Sequence, residues 1–182
     1  MVMKEGADFD LAVRLRREGA SLGELFAFMS GLYFRGKLAY SSTFAEPPSG
    51  MPGSLVITAG QGLLSPETVV TLGGLREMAG IFVDLEERRY RNPLERDALR
   101  LRDSAPDCEI VLLGSIATSK YVEPLLDIFG SRLLFPSEFV GRGDMSRGGL
   151  MLRCARDRIE LDYIAAATAI RRGRRPPKLP LC

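Results

Sequence analysis

The sequence predicts an α/β protein with a mostly parallel sheet of about four to six strands and helices on both faces. Short apolar segments rich in Val, Ile and Leu alternate along the chain with segments of helical spacing. Such alternation favours parallel strands joined by helical crossovers. The length of 182 residues suits one domain, and the content of 46% hydrophobic and 26% charged residues is ordinary for a globular chain. We therefore expect a single domain over residues 1–170.

Four segments are predicted to be strands. Residues 54–58, 109–113 and 132–135 are short and apolar. The nearly continuous apolar character of 109–113 predicts a central strand that is buried on both faces. Apolar and polar residues alternate over 159–164, which predicts a half-exposed strand at a sheet edge.

The helix with the clearest start begins after Ser21. Ser21 and Glu24 match the S-x-x-E capping box, and apolar residues follow at helical spacing through Tyr33. We expect this helix to break near Gly36 and then to continue. The other predicted helices cover residues 8–18, 93–103, a segment ending at Gly130, and a segment from a Ser146 cap to about residue 157.

The composition excludes several kinds of active site. The chain has no histidine and three widely spaced cysteines, Cys108, Cys154 and Cys182. Ser-His-Asp and Cys-His catalysis are therefore excluded, and neither a disulfide framework nor a metal site is predicted. Proton transfer would have to use Asp, Glu, Lys, Tyr or the ligand itself. No particular cofactor is indicated.

Nothing in the sequence indicates a membrane protein or a secreted protein. No apolar run approaches the roughly 20 residues that a membrane helix needs. The first residues, MVMKEGADFDLAV, lack the apolar core and the cleavage site of a signal peptide. A cytoplasmic location is the resulting expectation.

The last twelve residues form a basic, proline-containing segment that we expect to be a flexible tail. They carry five cations and no acid, so the rest of the chain is net negative although the whole chain is +2. Two interpretations stay open: a solubilising end, or weak contact with nucleic-acid phosphates without sequence preference. The cations are Arg171, Arg172, Arg174, Arg175 and Lys178.

Three polar loops are predicted to meet at one edge of the sheet. If the strands at 54–58, 109–113 and 132–135 are parallel, the loops that follow them lie at their shared carboxyl ends, where open α/β sheets bind ligands. The loops offer hydroxyls, cations and free helix N–H groups, which suit an anion, although neither a P-loop nor a dinucleotide motif is matched. The predicted ligand-binding residues are Gly60, Gly62, Gly114, Ser115, Thr118, Ser119, Lys120, Arg142, Gly143 and Arg147.

Four residues in or beside these loops are candidates for chemistry. They are Lys120, Tyr121, Glu138 and Asp144. Each also has a purely structural interpretation: solvated charges for Lys120 and Glu138, a packing residue for Tyr121 and a turn former for Asp144. Whether the protein is an enzyme therefore stays open at this point.

Three segments resemble a known group of proteins. They are LFAFMSGLYFRGKLAY, SLVITAGQGLLSPETV and KYVEPLLDIFGSRLLFPSEFVGRG, within residues 22–150. In this order they resemble uncharacterised bacterial and phage α/β proteins that are distantly similar to the YaaA-like proteins. The chain more closely resembles a bacterial family of unknown function with FVGRGDMSRGG-type loops. The resemblance implies an α/β fold, and a link to nucleobase metabolism favours a nucleotide-like ligand.

Two functional hypotheses from different classes follow. The first is binding of a phosphate-bearing or nucleobase-like small molecule at the carboxyl ends of the strands. The second is a non-enzymatic protein-interaction module or homodimer, which would use the apolar stripe of residues 22–33 and the edge strand at 159–164.

Overall fold

A computed structural model describes residues 2–170, 173–174 and 176–177. Helices dominate this part of the chain, and the strands are short. No helix within it has the length and apolar character needed to cross a membrane. The helices are α1 (Asp10–Arg17), α2 (Leu22–Ser30), α3 (Leu32–Phe44), α4 (Leu72–Ala79), α5 (Arg88–Ser104), α6 (Ser119–Phe129) and α7 (Asp144–Asp157). The strands are β1 (Ala20–Ser21), β2 (Val56–Thr58), β3 (Gly62–Leu64), β4 (Val69–Val70), β5 (Ile110–Val111), β6 (Leu133–Pro136) and β7 (Tyr163–Ala165).

The prediction of a mostly parallel sheet of four to six strands is wrong. The described strands form three small sheets: β1 with β4, β2 with β3, and β5–β6–β7. The decisive difference lies at β2, which was expected to run beside the later strands. Gly60 and Gly62 have φ of +88° and +73°, which lets the chain turn back at once, so β2 and β3 form an antiparallel hairpin.

The third sheet is mixed. β5 pairs with β6 in parallel, with Ile110 opposite Leu133, and β7 pairs antiparallel with the other side of β6. The segment predicted to be the central strand is therefore an edge strand, and Ile110 and Val111 are only half-buried. β6 takes the central place instead.

Two apolar clusters form the core. The larger one joins α3, α5, α6, β6 and α7, and its fully buried members include Tyr40, Tyr90, Phe135, Phe139 and Met151. The smaller one lies mainly among α1, α2 and α4, and its buried members include Leu15, Leu22, Leu25, Leu75 and Met78. The N-terminal helices thus have an apolar cluster of their own beside the main core.

Several helix boundaries differ from the predicted ones. The cap of α2 is as predicted, since the Ser21 hydroxyl accepts a hydrogen bond from the Glu24 N–H at 3.3 Å. The break that follows lies at Gly31, which has φ of +58°, and not at Gly36. α5 begins five residues before Pro93 because Glu87 caps it, and α7 begins at Asp144 and not after Ser146.

Gly36 marks the point where α3 and α7 cross. These two helices share the most extensive contact between any two described elements. A Cβ added to Gly36 would lie 2.6 Å from the Gly148 carbonyl oxygen, and a Cβ added to Gly148 would lie 2.7 Å from the Leu32 carbonyl oxygen. Both distances are far below van der Waals contact, so only glycine at these positions permits this backbone approach.

Tyr40 connects α3 to the strand at the edge of the mixed sheet. Its hydroxyl accepts the Leu161 N–H at 2.9 Å and lies 2.6 Å from the Tyr163 hydroxyl. The Tyr163 hydroxyl in turn donates to Glu160 at 2.7 Å. Burial and these hydrogen bonds raise the pKa of Tyr163, so both phenols stay protonated and the network holds β7 against α3.

A proline inside α6 is accommodated by a tyrosine of α5. Pro124 has no N–H to give to the carbonyl of Lys120, its partner four residues earlier in the helix. Tyr90 is fully buried, and its hydroxyl donates a hydrogen bond to that carbonyl at 2.8 Å. The proline and the tyrosine together therefore leave no unpaired acceptor at this contact.

Removing the Tyr90 hydroxyl should leave the Lys120 carbonyl without a hydrogen-bond donor. We expect Tyr90→Phe to lower the free energy of unfolding by about 1–2 kcal/mol in urea denaturation. In a Pro124→Ala background the helix supplies its own N–H donor, so the same substitution should cost clearly less. Equal costs in the two backgrounds would show that the hydroxyl does not compensate for the proline.

Candidate functional site

The parallel pair β5–β6 sends two loops to the same edge of the mixed sheet. The loop after β5 leads into α6, and the loop after β6 leads into α7. The N-cap residues of these helices are Thr118 and Gly143, and neither makes a side-chain hydrogen bond to the first turn within the described residues. Their first N–H groups therefore remain available at this edge, with the positive ends of the helix dipoles.

The crossing of α3 and α7 brings four polar side chains together beside this edge. Tyr33 and Lys37 flank Gly36 on α3, and Asp144 and Arg147 precede Gly148 on α7. Tyr121, in the first turn of α6, acts electrostatically on Tyr33. We call the five residues Tyr33, Lys37, Tyr121, Asp144 and Arg147 the crossing cluster.

Arg147 is the buried cation of the crossing cluster, with 8% of its surface exposed. Its Nε and Nη2 donate to the Phe139 carbonyl at 3.2 and 3.1 Å, and its guanidinium lies 5.5 Å from the centre of the Phe139 ring. Asp144, largely exposed, is 3.7 Å from Nη1. The arginine is thus held by a carbonyl and a ring, and its carboxylate partner is loose and solvated.

Tyr33 links α3 to the end of β5. Its hydroxyl donates to the Leu113 carbonyl at 3.2 Å. Burial raises the pKa of Tyr33, and the nearby Arg147 cation opposes that rise. The phenol is therefore neutral at physiological pH and places a polar oxygen between β5 and α7.

Lys37 is the less firmly paired of the two cations in the crossing cluster. Its Nζ lies 4.2 Å from the centre of the Tyr33 ring and 6.0 Å from that of Phe34. Within the described part of the chain it makes no hydrogen bond or ion pair. Desolvation by burial lowers the pKa of Lys37 to about 8; Asp144 opposes this change and Arg147 adds to it.

The crossing cluster therefore carries an excess of positive charge. Two cations, Lys37 and Arg147, face a single carboxylate, that of Asp144, and the N-terminal end of α7 adds to the positive potential. Partial burial strengthens this potential because less water screens it. Such a place favours an anion. Among the described residues, no group of three or more His, Cys, Asp or Glu side chains is suited to a metal ion.

The structure separates the predicted site residues into two places. Gly60 and Gly62 lie at the β2–β3 turn, which is not part of the mixed sheet, so the parallel arrangement from which the convergence of three loops was predicted is absent. A Cβ on Gly62 would lie 2.6 Å from the Pro93 carbonyl oxygen, and Asp97 accepts the Leu63 N–H at 3.1 Å. These glycines therefore allow the hairpin to pack on α5.

The loop after β5 keeps several of the predicted residues at the edge. Gly114, Ser115, Thr118 and Ser119 lie between β5 and the first turn of α6. The Ser115 hydroxyl accepts the Ala117 N–H at 3.2 Å, a local turn that leaves its own O–H free to donate. The ammonium of Lys120 lies 5.2 Å from the centre of the Tyr121 ring.

The loop after β6 is organised by Arg142. Its Nε donates to the Glu138 carbonyl at 2.9 Å, and Nη1 reaches the Ser146 hydroxyl at 3.4 Å and the Pro177 carbonyl at 3.5 Å. Glu138 accepts from Ser137 at 3.2 Å. Arg142 thus holds this loop to the last described residues, and only Arg147 of the two predicted arginines belongs to the crossing cluster.

The basic tail is described only in part. Arg171, Arg172, Arg175 and Lys178 lie outside the described residues, so the nucleic-acid interpretation stays a prediction. Arg174 is exposed, and its carbonyl faces Gly141, where a Cβ would overlap it.

Sequence reasoning missed Tyr33 and Lys37. The sequence pattern places Tyr33 in an apolar stripe and Lys37 in the helical segment that continues it. Helical spacing does not indicate a contact with residues more than 100 positions later in the chain. One signal was present: a glycine beside a cation occurs in both Gly36-Lys37 and Arg147-Gly148. Paired glycines in two helices indicate a close crossing, and charged neighbours of such glycines are candidates for a shared site.

Comparison of the chain with protein-family models, with curated proteins and with solved structures found no match. The resemblance to YaaA-like proteins therefore stays a prediction. The fold and the site define a class in structural terms only: a mixed α/β protein with a cationic cluster at a crossing of two helices.

Proposed function

We propose that this protein binds a small anionic ligand, of the phosphate-bearing class, at the crossing cluster. The observation that carries the proposal is the Lys37 ammonium, which is partly desolvated near the buried Arg147 and forms no ion pair with any acidic side chain among the described residues. A cation in that position costs free energy unless an anion joins it. An anionic ligand would remove this cost.

The chemistry of the surrounding groups favours phosphate over a simple halide. A phosphate group has several acceptor oxygens, and the crossing cluster and the neighbouring helix starts carry hydrogen-bond donors of different kinds. These are the Lys37 ammonium, the phenol of Tyr121, and the free N–H groups at the starts of α6 and α7. The rings of Tyr33 and Tyr121 offer apolar faces for the organic part of the ligand, which suits a nucleobase.

Sulfate should stabilise the protein, and the effect should shrink as the pH rises above about 8. A bound anion favours the ammonium form of Lys37 and so raises its pKa, whereas the neutral amine attracts no anion. At about 100 times its Kd, sulfate should add about 2.7 kcal/mol, or roughly 5–10 °C in Tm. Thermal unfolding is measured in sulfate and in chloride of equal ionic strength from about pH 7 to about pH 9.5.

The quantity to compare is the difference between the Tm in sulfate and the Tm in chloride at each pH. The unliganded protein itself should gain stability as the pH rises from about 8 towards 10.5, because the unfolded chain binds a proton there that the folded chain does not. Lys37→Met should abolish the sulfate effect and its pH dependence, and Lys4→Met, at an exposed lysine, should leave both unchanged. A sulfate effect that survives in Lys37→Met would contradict the proposal.

A further inference from the structure

An open groove of about 480 Å³ lies between α1, α2 and the start of α3. The Phe28 ring lines this groove and stacks on the Phe9 ring, with 5.1 Å between the ring centres. Phe9 is 36% exposed and Phe28 is 40% exposed, although the other side of α2 is buried in the smaller core cluster. The apolar stripe of α2 is therefore only partly used by the core, and the rest of it faces water.

The groove also carries a cation without a partner. Arg14 and Arg35 both line it. Arg14 is paired, because its Nη2 lies 2.7 Å from a Glu24 carboxylate oxygen and its Nε lies 3.2 Å from one of Asp10. Arg35 is exposed, and its side chain forms no hydrogen bond or ion pair with any described residue. The groove thus suits a partner that offers an apolar side chain close to a carboxylate.

The segment that follows α4 offers this pair of groups. Phe82, at 80%, is the most exposed large hydrophobic residue in the described part of the chain. Its neighbours Ile81 and Val83 pack against the larger core cluster, so the segment is anchored while Phe82 faces water. Asp84 is exposed as well, and one of its carboxylate oxygens accepts the Glu86 N–H at 3.0 Å. The Cα atoms of Phe82 and Asp84 are at most about 7 Å apart, so one groove can receive both side chains.

We propose that the groove binds this segment of a second copy of the chain. The Phe82 ring of one copy packs on the Phe9–Phe28 pair of the other. The Asp84 carboxylate pairs with Arg35, which gives each charge the partner that it lacks within the described part of its own chain. The occupant is a second copy because this chain carries both the groove and its apolar and charged complement. The association uses no residue of the crossing cluster and is independent of the proposed anion site.

The size of this contact determines its strength. One ring and one charge pair make a small interface, and small interfaces are weak and reversible. The anchored backbone of the segment limits the entropy that is lost when it docks. The groove and the segment are different surfaces, so a reciprocal contact gives a two-fold dimer and a head-to-tail contact gives a ring or an open chain.

Sedimentation velocity of the full chain tests the association. We expect the sedimentation coefficient to rise with protein concentration between about 10 µM and about 500 µM, and Phe82→Ser to abolish that rise. Ile159→Ser is the matched control, because Ile159 is also an exposed apolar residue, at 65%, and belongs to neither the groove nor the segment. This variant should associate as the wild-type chain does.

Charge reversal tests the pairing itself. Arg35→Asp and Asp84→Arg each bring like charges together in the contact, so each should weaken self-association at least about tenfold. An equimolar mixture of the two variants should regain most of the loss. In the mixture, the reversed groove of one variant meets the reversed segment of the other, and the two unchanged halves meet as in the wild-type chain. Both positions are exposed, and circular dichroism checks that both variants fold.

Each outcome decides for or against the proposal. Loss of association in Phe82→Ser, together with recovery in the mixture of the charge variants, supports it. A wild-type chain that stays monomeric over the whole range overturns it. Association that Ile159→Ser abolishes and Phe82→Ser does not would also overturn it, because another face would then join the copies. Association that both reversals weaken and the mixture does not restore overturns it too, since the two charges would not meet.

Discussion

Gly148→Ala should lower the free energy of unfolding by about 3 kcal/mol, near the upper end of what overpacking costs. The new methyl group would lie 2.7 Å from the Leu32 carbonyl oxygen and 2.8 Å from the Tyr33 Cα, and both belong to helix backbone that has no rotamer with which to yield. α3 and α7 must then separate, which disturbs the main core and the crossing cluster together. Urea denaturation monitored by circular dichroism measures the loss.

The adjacent residue provides a matched control. Gly149 lies in the same helix, and a Cβ there would meet no atom within 4 Å. Gly149→Ala should therefore stabilise the protein by about 0.5–1 kcal/mol, the ordinary gain from replacing a helical glycine. Losses of similar size at the two positions would mean that local strain in α7, and not the crossing, determines the effect.

Arg147→Met should cost about 2–3 kcal/mol of unfolding free energy. Methionine fills part of the space but removes two of the three N–H donors that reach the Phe139 carbonyl, so that only the Arg142 N–H at 3.1 Å remains. It also removes the cation that acts electrostatically on Tyr33. The pKa of Lys37 should rise at the same time, because Arg147 now lowers it. Denaturation measures the first effect, and NMR titration of the Lys37 side chain measures the second.

Arg102→Met is the comparison for a surface arginine. Arg102 pairs with Asp103 at 2.8 Å, but both side chains are well exposed. Its loss should change stability by less than about 1 kcal/mol. If Arg147→Met were equally mild, the buried guanidinium would not be holding the loop before α7, and the crossing cluster would lose its supporting residue.

Local features of this fold were predictable from the sequence. The Ser21–Glu24 cap depends on residues three positions apart, so its pattern carries the whole interaction. The expected end of that helix near residue 157 agrees with the end of α7 at Asp157. The apolar segment at 109–113 contains β5, and the segment at 132–135 covers β6 except for its last residue, Pro136.

Features that depend on distant partners were not predictable. The pairing of β2 depends on whether the chain turns back at Gly60. The apolar pattern of the strand is the same for a parallel and for an antiparallel partner, so the sequence does not distinguish them. Pro124 is tolerated inside α6 because Tyr90, 34 residues earlier, donates a hydrogen bond to the carbonyl that the proline leaves without a partner. The site itself required Tyr33 to meet Leu113, a contact 80 residues apart.

The crossing at Gly36 and Gly148 also has a consequence for the order in which the chain becomes functional during synthesis. α3 is complete after about a quarter of the chain, but its partner helix begins only at Asp144. Until α7 emerges, Tyr33 and Lys37 lie on an uncovered helix face in contact with water, and Lys37 is an ordinary solvated lysine. The β2–β3 hairpin and α5 have their partners much earlier. The cationic cluster is therefore a property of the nearly finished polypeptide, and a chain truncated before Gly148 can hold much of its local structure without having a site at all.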